Sequence, residues 1–204
     1  LFRSKNEELT VLFSDVRGFT SISEGLDPKE LTQLMNEYLG AMTQVVQRNR
    51  GTLDKYIGDA IMAFWGAPVA DAEHARRAVF TALEMQRELR KLDAPFKARG
   101  WPELHIGVGI NTGTMTVGDM GSTVRKSYTV MGDAVNLGSR LEGITKQYGV
   151  GIIVSDSTKA QVKDVLYREL DRVRVKGKDE PVGIFEPLGL AGDVEPARQD
   201  EVKL

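Results

Sequence analysis

Two aspartates stand where β-prone runs end. Asp15 closes the run Leu9 to Ser14, and Asp59 follows Gly58 between two further runs. Two carboxylates brought to one point suit a hard divalent cation such as Mg²⁺ or Mn²⁺. Either one alone is as readily a turn or cap residue, so the pair draws its weight from its neighbours. After Asp15 come Val16, Arg17, Gly18, Phe19 and Thr20, a strand-to-helix passage whose backbone N–H groups could cradle a phosphate. Lys55 puts a charge into a β-prone run four residues before Asp59, although most lysines in such places are simply solvated. Asn136 and Arg140 are spaced i,i+4, so they can reach one ligand from one helix face. The arginine fork fits a phosphoryl group, and the same spacing also serves an ordinary solvent-facing pair. Lys176-Gly177-Lys178 reads either as a phosphate-binding turn or as a charged hairpin loop.

These residues need elements to carry them. Residues 9–14 predict a buried strand delivering Asp15. Asp27-Pro28-Lys29-Glu30 has an N-cap, a proline at the first helical position and an acid three residues after the cap, which starts a helix running to Gly51. Residues 52–57 and 60–65 form a hairpin across Gly58-Asp59. A second amphipathic helix spans about 71–92. Strands follow at 104–111, 115–118 and 126–131, then a helix from Asp133 to Tyr148 stopped by Gly149. A strand at 151–155, a short helix near 156–165 and strands at 167–175 and 182–187 complete the order. The order predicts an α+β fold of ferredoxin-like or palm type, with a mainly antiparallel sheet and its helices on one face.

Composition narrows the chemistry. The 204 residues carry a formal net charge of −2, so no global basic field supports nucleic-acid binding. With no cysteine and only His74 and His105, thiolate chemistry is excluded and a zinc cage is poorly supported. No apolar run is long enough to span a membrane, and no signal-peptide plan opens the chain. The start at Leu1 reads as a cut from a longer protein: residues 1–8 as linker, 9–190 as one domain, and 191–204 as a polar, frayed tail.

Five segments in order resemble the class III adenylyl cyclase catalytic domain: Phe13-Ser14-Asp15-Val16-Arg17-Gly18-Phe19-Thr20, Gly51 to Asp59, Gly109-Ile110-Asn111-Thr112-Gly113, Tyr128 to Arg140, and Val175-Lys176-Gly177-Lys178. The resemblance implies conversion of ATP to 3',5'-cyclic AMP with two divalent cations per site, Mg²⁺ or Mn²⁺. Asp15, Asp59 and the Val16 carbonyl would be the metal ligands, and Gly18, Phe19 and Thr20 would lie at the triphosphate. Asn136 would orient the ribose, Arg140 would stabilise the α-phosphoryl charge, and Lys176 would hold the terminal phosphates. Lys55 and Thr129 would select adenine, the ammonium donating to N1 and the threonine oxygen accepting from the exocyclic amine. Threonine at 129 resembles the subclass often stimulated by bicarbonate or carbon dioxide, which makes bicarbonate a candidate effector.

The family's sites are shared across a head-to-tail dimer. This chain holds the whole set, so a homodimer would carry two sites. Gly107 departs from members that place a phosphate-binding arginine there. Cytoplasmic location follows from the substrate, and the resemblance makes an upstream membrane or sensor segment a candidate partner. Two other readings stay open: a different metal-dependent nucleotide enzyme on a palm-like fold, and a catalytically silent cyclase-like domain that binds nucleotide to regulate a partner.

Overall fold

The computed structural model describes residues 4–175 and 179–193. The chain runs β1 (Lys5–Val16), α1 (Phe19–Gly25), α2 (Pro28–Arg48), β2 (Thr52–Ile57), β3 (Ala60–Trp65), α3 (His74–Ala98), β4 (Ile106–Gly121), β5 (Lys126–Met131), α4 (Asp133–Tyr148), β6 (Ile152–Ser155), α5 (Asp156–Gln161), β7 (Val165–Val173) and β8 (Val182–Leu190). The sheet order is β2-β3-β1-β4-β6-β8-β7, with β5 paired to β4 off this path. Every pairing is antiparallel except β4 with β6, so the α+β expectation holds with a mixed sheet. Among the described residues no helix is long and apolar enough to cross a membrane.

Residues β1 to β4 with α2 and α3 form the split βαβ unit that the element order predicts. Leu12, Ile61, Ala63, Trp65, Val108 and Ile110 face Leu34, Tyr38, Met42 and Val45 of α2 and Ala78, Val79, Ala82 and Met85 of α3 in one core. The start of α2 is fixed as read: Asp27 accepts from the backbone N–H groups of Lys29 and Glu30 at 2.9 and 3.0 Å, with Pro28 following.

The expectation that all helices share one face is corrected by α4, which lies on the opposite face. It covers β4 and β6 there, while β5 folds over β1 and β3 so that Val130 and Tyr128 pack on Met62 and Phe64. The approach of α4 is set by two glycines. A Cβ on Gly109 would sit 2.1 Å from the Glu142 backbone nitrogen, and one on Gly138 would sit 2.7 Å from Val11. Helix backbone therefore rests almost directly on strand backbone.

Other boundaries moved. Lys5 to Glu8, read as linker, extend β1 and pair with Thr114 to Val117. A short helix, α1, follows Gly18 ahead of the helix read from Asp27. Residues 104–111 and 115–118, read as two strands, are one strand, because the polar break between them is satisfied in place. Thr112 bonds Thr10 across the pairing at 2.8 Å, and Asn111 donates to the Ala134 carbonyl at 2.8 Å while accepting from Ser155 at 2.7 Å. Buried polar side chains that find partners do not interrupt a strand. Beyond Asp193 the expected tail lies outside the described residues.

Filling the α4–β4 contact tests the packing. Gly109→Ala is expected to destabilise the domain by about 1–3 kcal/mol, as overpacking does, read as a lower urea midpoint at unchanged slope. An unchanged midpoint would mean that α4 can stand off the sheet at no cost.

Candidate active site

Asp15 leaves the end of β1 on the α4 face, opposite Gly107 in the ladder with β4. Asp59 sits in the two-residue turn joining β2 to β3, where Gly58 takes φ 64° and Ile57 pairs with Ala60. The β1–β3 register, Ser14 against Ile61, brings this turn beside the end of β1. A hydrogen bond of 3.0 Å from the Val16 N–H to Asp59 Oδ2 fixes the two together. The Val16 side chain is buried in the core.

The carboxylates repel. Partial burial, then a hydrogen bond and charge from Asp59, then charge from Glu142 push the Asp15 carboxyl from 3.8 up to about 7. Glu142, on α4, is itself shifted upward by burial and by Asp59, with Arg17 opposing. Two adjacent carboxylates with this mutual penalty fit a divalent cation, whose charge would remove it. Among the described residues no third ligating side chain completes a cage, which suits an ion that draws its remaining oxygens from backbone, water and phosphate. Gly18 caps α1 in the left-handed conformation (φ 65°) without a side-chain cap. Phe19 and Thr20 open that helix beside the pair.

Asn136 and Arg140 lie on α4 as predicted, both exposed, and neither side chain makes a hydrogen bond or ion pair with the described residues. They do not point at the carboxylates of their own chain. Each is two residues from Gly138, which faces the sheet, and helical residues turn about 100° apiece, so both project about 160° away from the sheet-facing line. Glu142 and Thr145, near Gly107, occupy the inner face instead.

Lys55 and Thr129 are brought together, through a residue the sequence reading passed over. Asp54, its side chain fully buried, lies 3.4 Å from Lys55 Nζ and accepts a hydrogen bond from the Thr129 hydroxyl. Glu142 and Asp54 were both missed. A signal for the first was the glycine pair 107 and 109 opposite a helix, which announces close approach. Asp54 had none beyond its adjacency to Lys55. Lys176 lies outside the described residues. At Gly107 a Cβ would meet Thr145 Oγ1 at 2.3 Å, so a side chain there would require Thr145 to move.

Comparison with known proteins places this geometry. The family model described as "Adenylate and Guanylate cyclase catalytic domain" matches residues 2–185. Adenylate cyclase 1 of Rhizobium meliloti is 40% identical over 90% of this chain, and the adenylate cyclase of Anabaena cylindrica is 39% identical over 90%. The chain spans 28% and 37% of those two proteins' lengths. Among solved structures, the adenylyl cyclase CyaB from P. aeruginosa superposes with TM-score 0.87 at 37% identity, covering 95% of this chain and all of that one. The guanylyl cyclase Cya2 superposes at 0.85 and 38%, covering 95% and 96%.

The raised Asp15 carboxyl gives a signed prediction. Between pH 3.8 and about 7 the folded protein holds a proton that the unfolded chain has released. The contribution of this group to stability therefore falls as pH rises through that window and is level above it. Asp15→Asn is expected to gain in melting temperature over the unsubstituted, metal-free protein across the same window. Added Mg²⁺ is expected to close the gap by raising only the unsubstituted protein. A difference in melting temperature that ignores both pH and Mg²⁺ would remove the charge repulsion from this account.

Proposed function

The chain belongs to the adenylate and guanylate cyclase catalytic domain family, and on that premise we propose that it converts ATP to 3',5'-cyclic AMP and pyrophosphate in a site shared by two copies. The ribose 3'-oxygen bonds to the α-phosphorus as the bond to the β-phosphate oxygen breaks. The 3'-hydroxyl loses its proton, and pyrophosphate departs.

The observation that carries this reading is the opposed geometry of α4. Its backbone packs on β4 and its Glu142 feels the charge of the carboxylate pair, yet the side chains of Asn136 and Arg140 face outward with no partner among the described residues. One chain thus offers two half-sites pointing different ways, and a head-to-tail homodimer would close each against its complement. Tyr56, Ile57 and Met131, exposed at the ends of β2 and β5, supply apolar surface for that contact.

In this reading Asp15, Asp59 and the Val16 carbonyl hold two divalent cations, Mg²⁺ or Mn²⁺, which when bound supply Lewis-acid activation of the hydroxyl and neutralise the triphosphate. Backbone N–H groups at Gly18, Phe19 and Thr20 face the phosphates. Asn136 of the other copy orients the ribose, and Arg140 stabilises charge developing on the α-phosphoryl oxygens. The family resemblance gives Lys176 the terminal phosphates. Lys55 donates to adenine N1 and Thr129 accepts from the 6-amine. Similarity at 38% to a guanylyl cyclase shows that overall identity does not choose the base, so the choice rests on these two side chains. Use of ATP puts the domain in the cytoplasm, and an upstream membrane or sensor segment is a candidate source of its stimulus. Threonine at 129 adds bicarbonate as a candidate activator.

The direct test is product formation from ATP and from GTP with Mg²⁺ or Mn²⁺, with and without bicarbonate. Cyclic AMP from ATP is expected, and folded dimer yielding no cyclic product would leave a nucleotide-binding regulatory domain. The shared site has its own test. Asp15→Asn and Arg140→Ala are each expected to lose on the order of 100-fold or more in kcat. Mixed in equal amounts, they should regain about a quarter of the unsubstituted activity, because half the dimers are hybrids with one intact site of two. A mixture that forms hybrids yet stays inactive would contradict a site built from two chains.

A further inference from the structure

Asp54 occupies a bulge in β2. The ladder passes from Leu53 opposite Ala63 to Lys55 opposite Met62, leaving Asp54 without a partner strand residue. A bulge re-aims a side chain, and here it turns the carboxylate into the protein, where its side chain is fully buried. Oδ2 accepts from the Thr129 hydroxyl. Oδ1 faces Lys55 Nζ at 3.4 Å and accepts no hydrogen bond among the described residues.

The chemistry of these groups fixes a direction. A carboxylate can only accept, and a threonine hydroxyl has a single proton. With that proton aimed at Asp54, Thr129 Oγ1 offers a ligand only lone pairs. It can receive a hydrogen bond from a 6-amino group, but against a 6-oxo group two acceptors would meet without a proton between them. A site whose polar group is left unpaired by the wrong ligand discriminates far more strongly than one that merely fits less well. The same carboxylate holds the Lys55 ammonium on the same side.

We propose that Asp54 is a positioning residue that sets the hydrogen-bond polarity of Thr129 and so selects 6-amino over 6-oxo purine nucleotides. This rests on the base-selecting reading of Lys55 and Thr129 above. Asp54 touches no substrate and acts only through its two neighbours.

The test compares ATP with inosine triphosphate for the unsubstituted protein and Asp54→Asn, both as kcat/KM for cyclic product and as equilibrium binding by competition. The amide can donate to Thr129 Oγ1, which frees the hydroxyl proton to point at the ligand. The ATP-to-inosine-triphosphate ratio is expected to fall about tenfold or more, mainly through KM. In a Thr129→Val background the Asp54→Asn change should move the ratio less than it does with Thr129 present, the remainder being what Asp54 exerts through Lys55. Asp54→Ala, which also releases the hydroxyl, carries the same expectation should the amide variant not fold. A ratio within twofold of the unsubstituted protein, with both nucleotides weakened equally, would reduce Asp54 to a structural residue and overturn the proposal. If the unsubstituted protein bound both nucleotides but cyclised neither, the cyclase reading would fail, and the binding ratio would still decide the role of Asp54.

Discussion

The backbone contact between α4 and β4 is the constraint on which the rest of this molecule depends. It is possible only where neither Gly109 nor Gly138 carries a side chain. With the helix pressed this close, its rotation about its own axis is fixed, and rotation decides which residues meet the carboxylates. Glu142 and Thr145 are turned inward, whereas Asn136 and Arg140 are turned out. The outward pair carries donors and a permanent charge suited to phosphate and sugar, and the contact holds them ready on the surface.

A second balance operates at the end of β1. Asp15 and Asp59 are forced together by the β1–β3 register and by the hydrogen bond from Val16 to Asp59, against their mutual repulsion. The register is set by the apolar side chains of β1 and β3 packed on α2 and α3; burial of that many large residues outweighs the penalty of one strained carboxylate pair. The core thus stores an electrostatic cost at one surface point, where a cation or a proton relieves it.

The local elements were legible wherever one interaction dominates. Asp27-Pro28 starts α2 as capping chemistry requires, and Gly58-Asp59 turns the hairpin. Asp15, Asp59, Asn136 and Arg140 could be named from type and spacing together with the family resemblance. Long-range satisfaction was not legible. Thr112 falls in the gap between the two strands read from sequence, and only a partner 102 residues away makes it a strand residue. The side of the sheet that α4 covers was misjudged for a related reason: a short β4–β5 excursion precedes it, and no periodicity within the helix records which face it reaches. Asp54 escaped because its role arises from a bulge and from Thr129, 75 residues further on.

The central claim is that one chain carries two incomplete half-sites and that activity belongs to a pair of chains. The most direct measurement is specific activity followed against molecular mass as the protein is diluted through its dissociation range. Activity per chain is expected to fall in proportion to the dimer fraction and to vanish for monomer. Full activity per chain from protein that is monomeric by mass would contradict it.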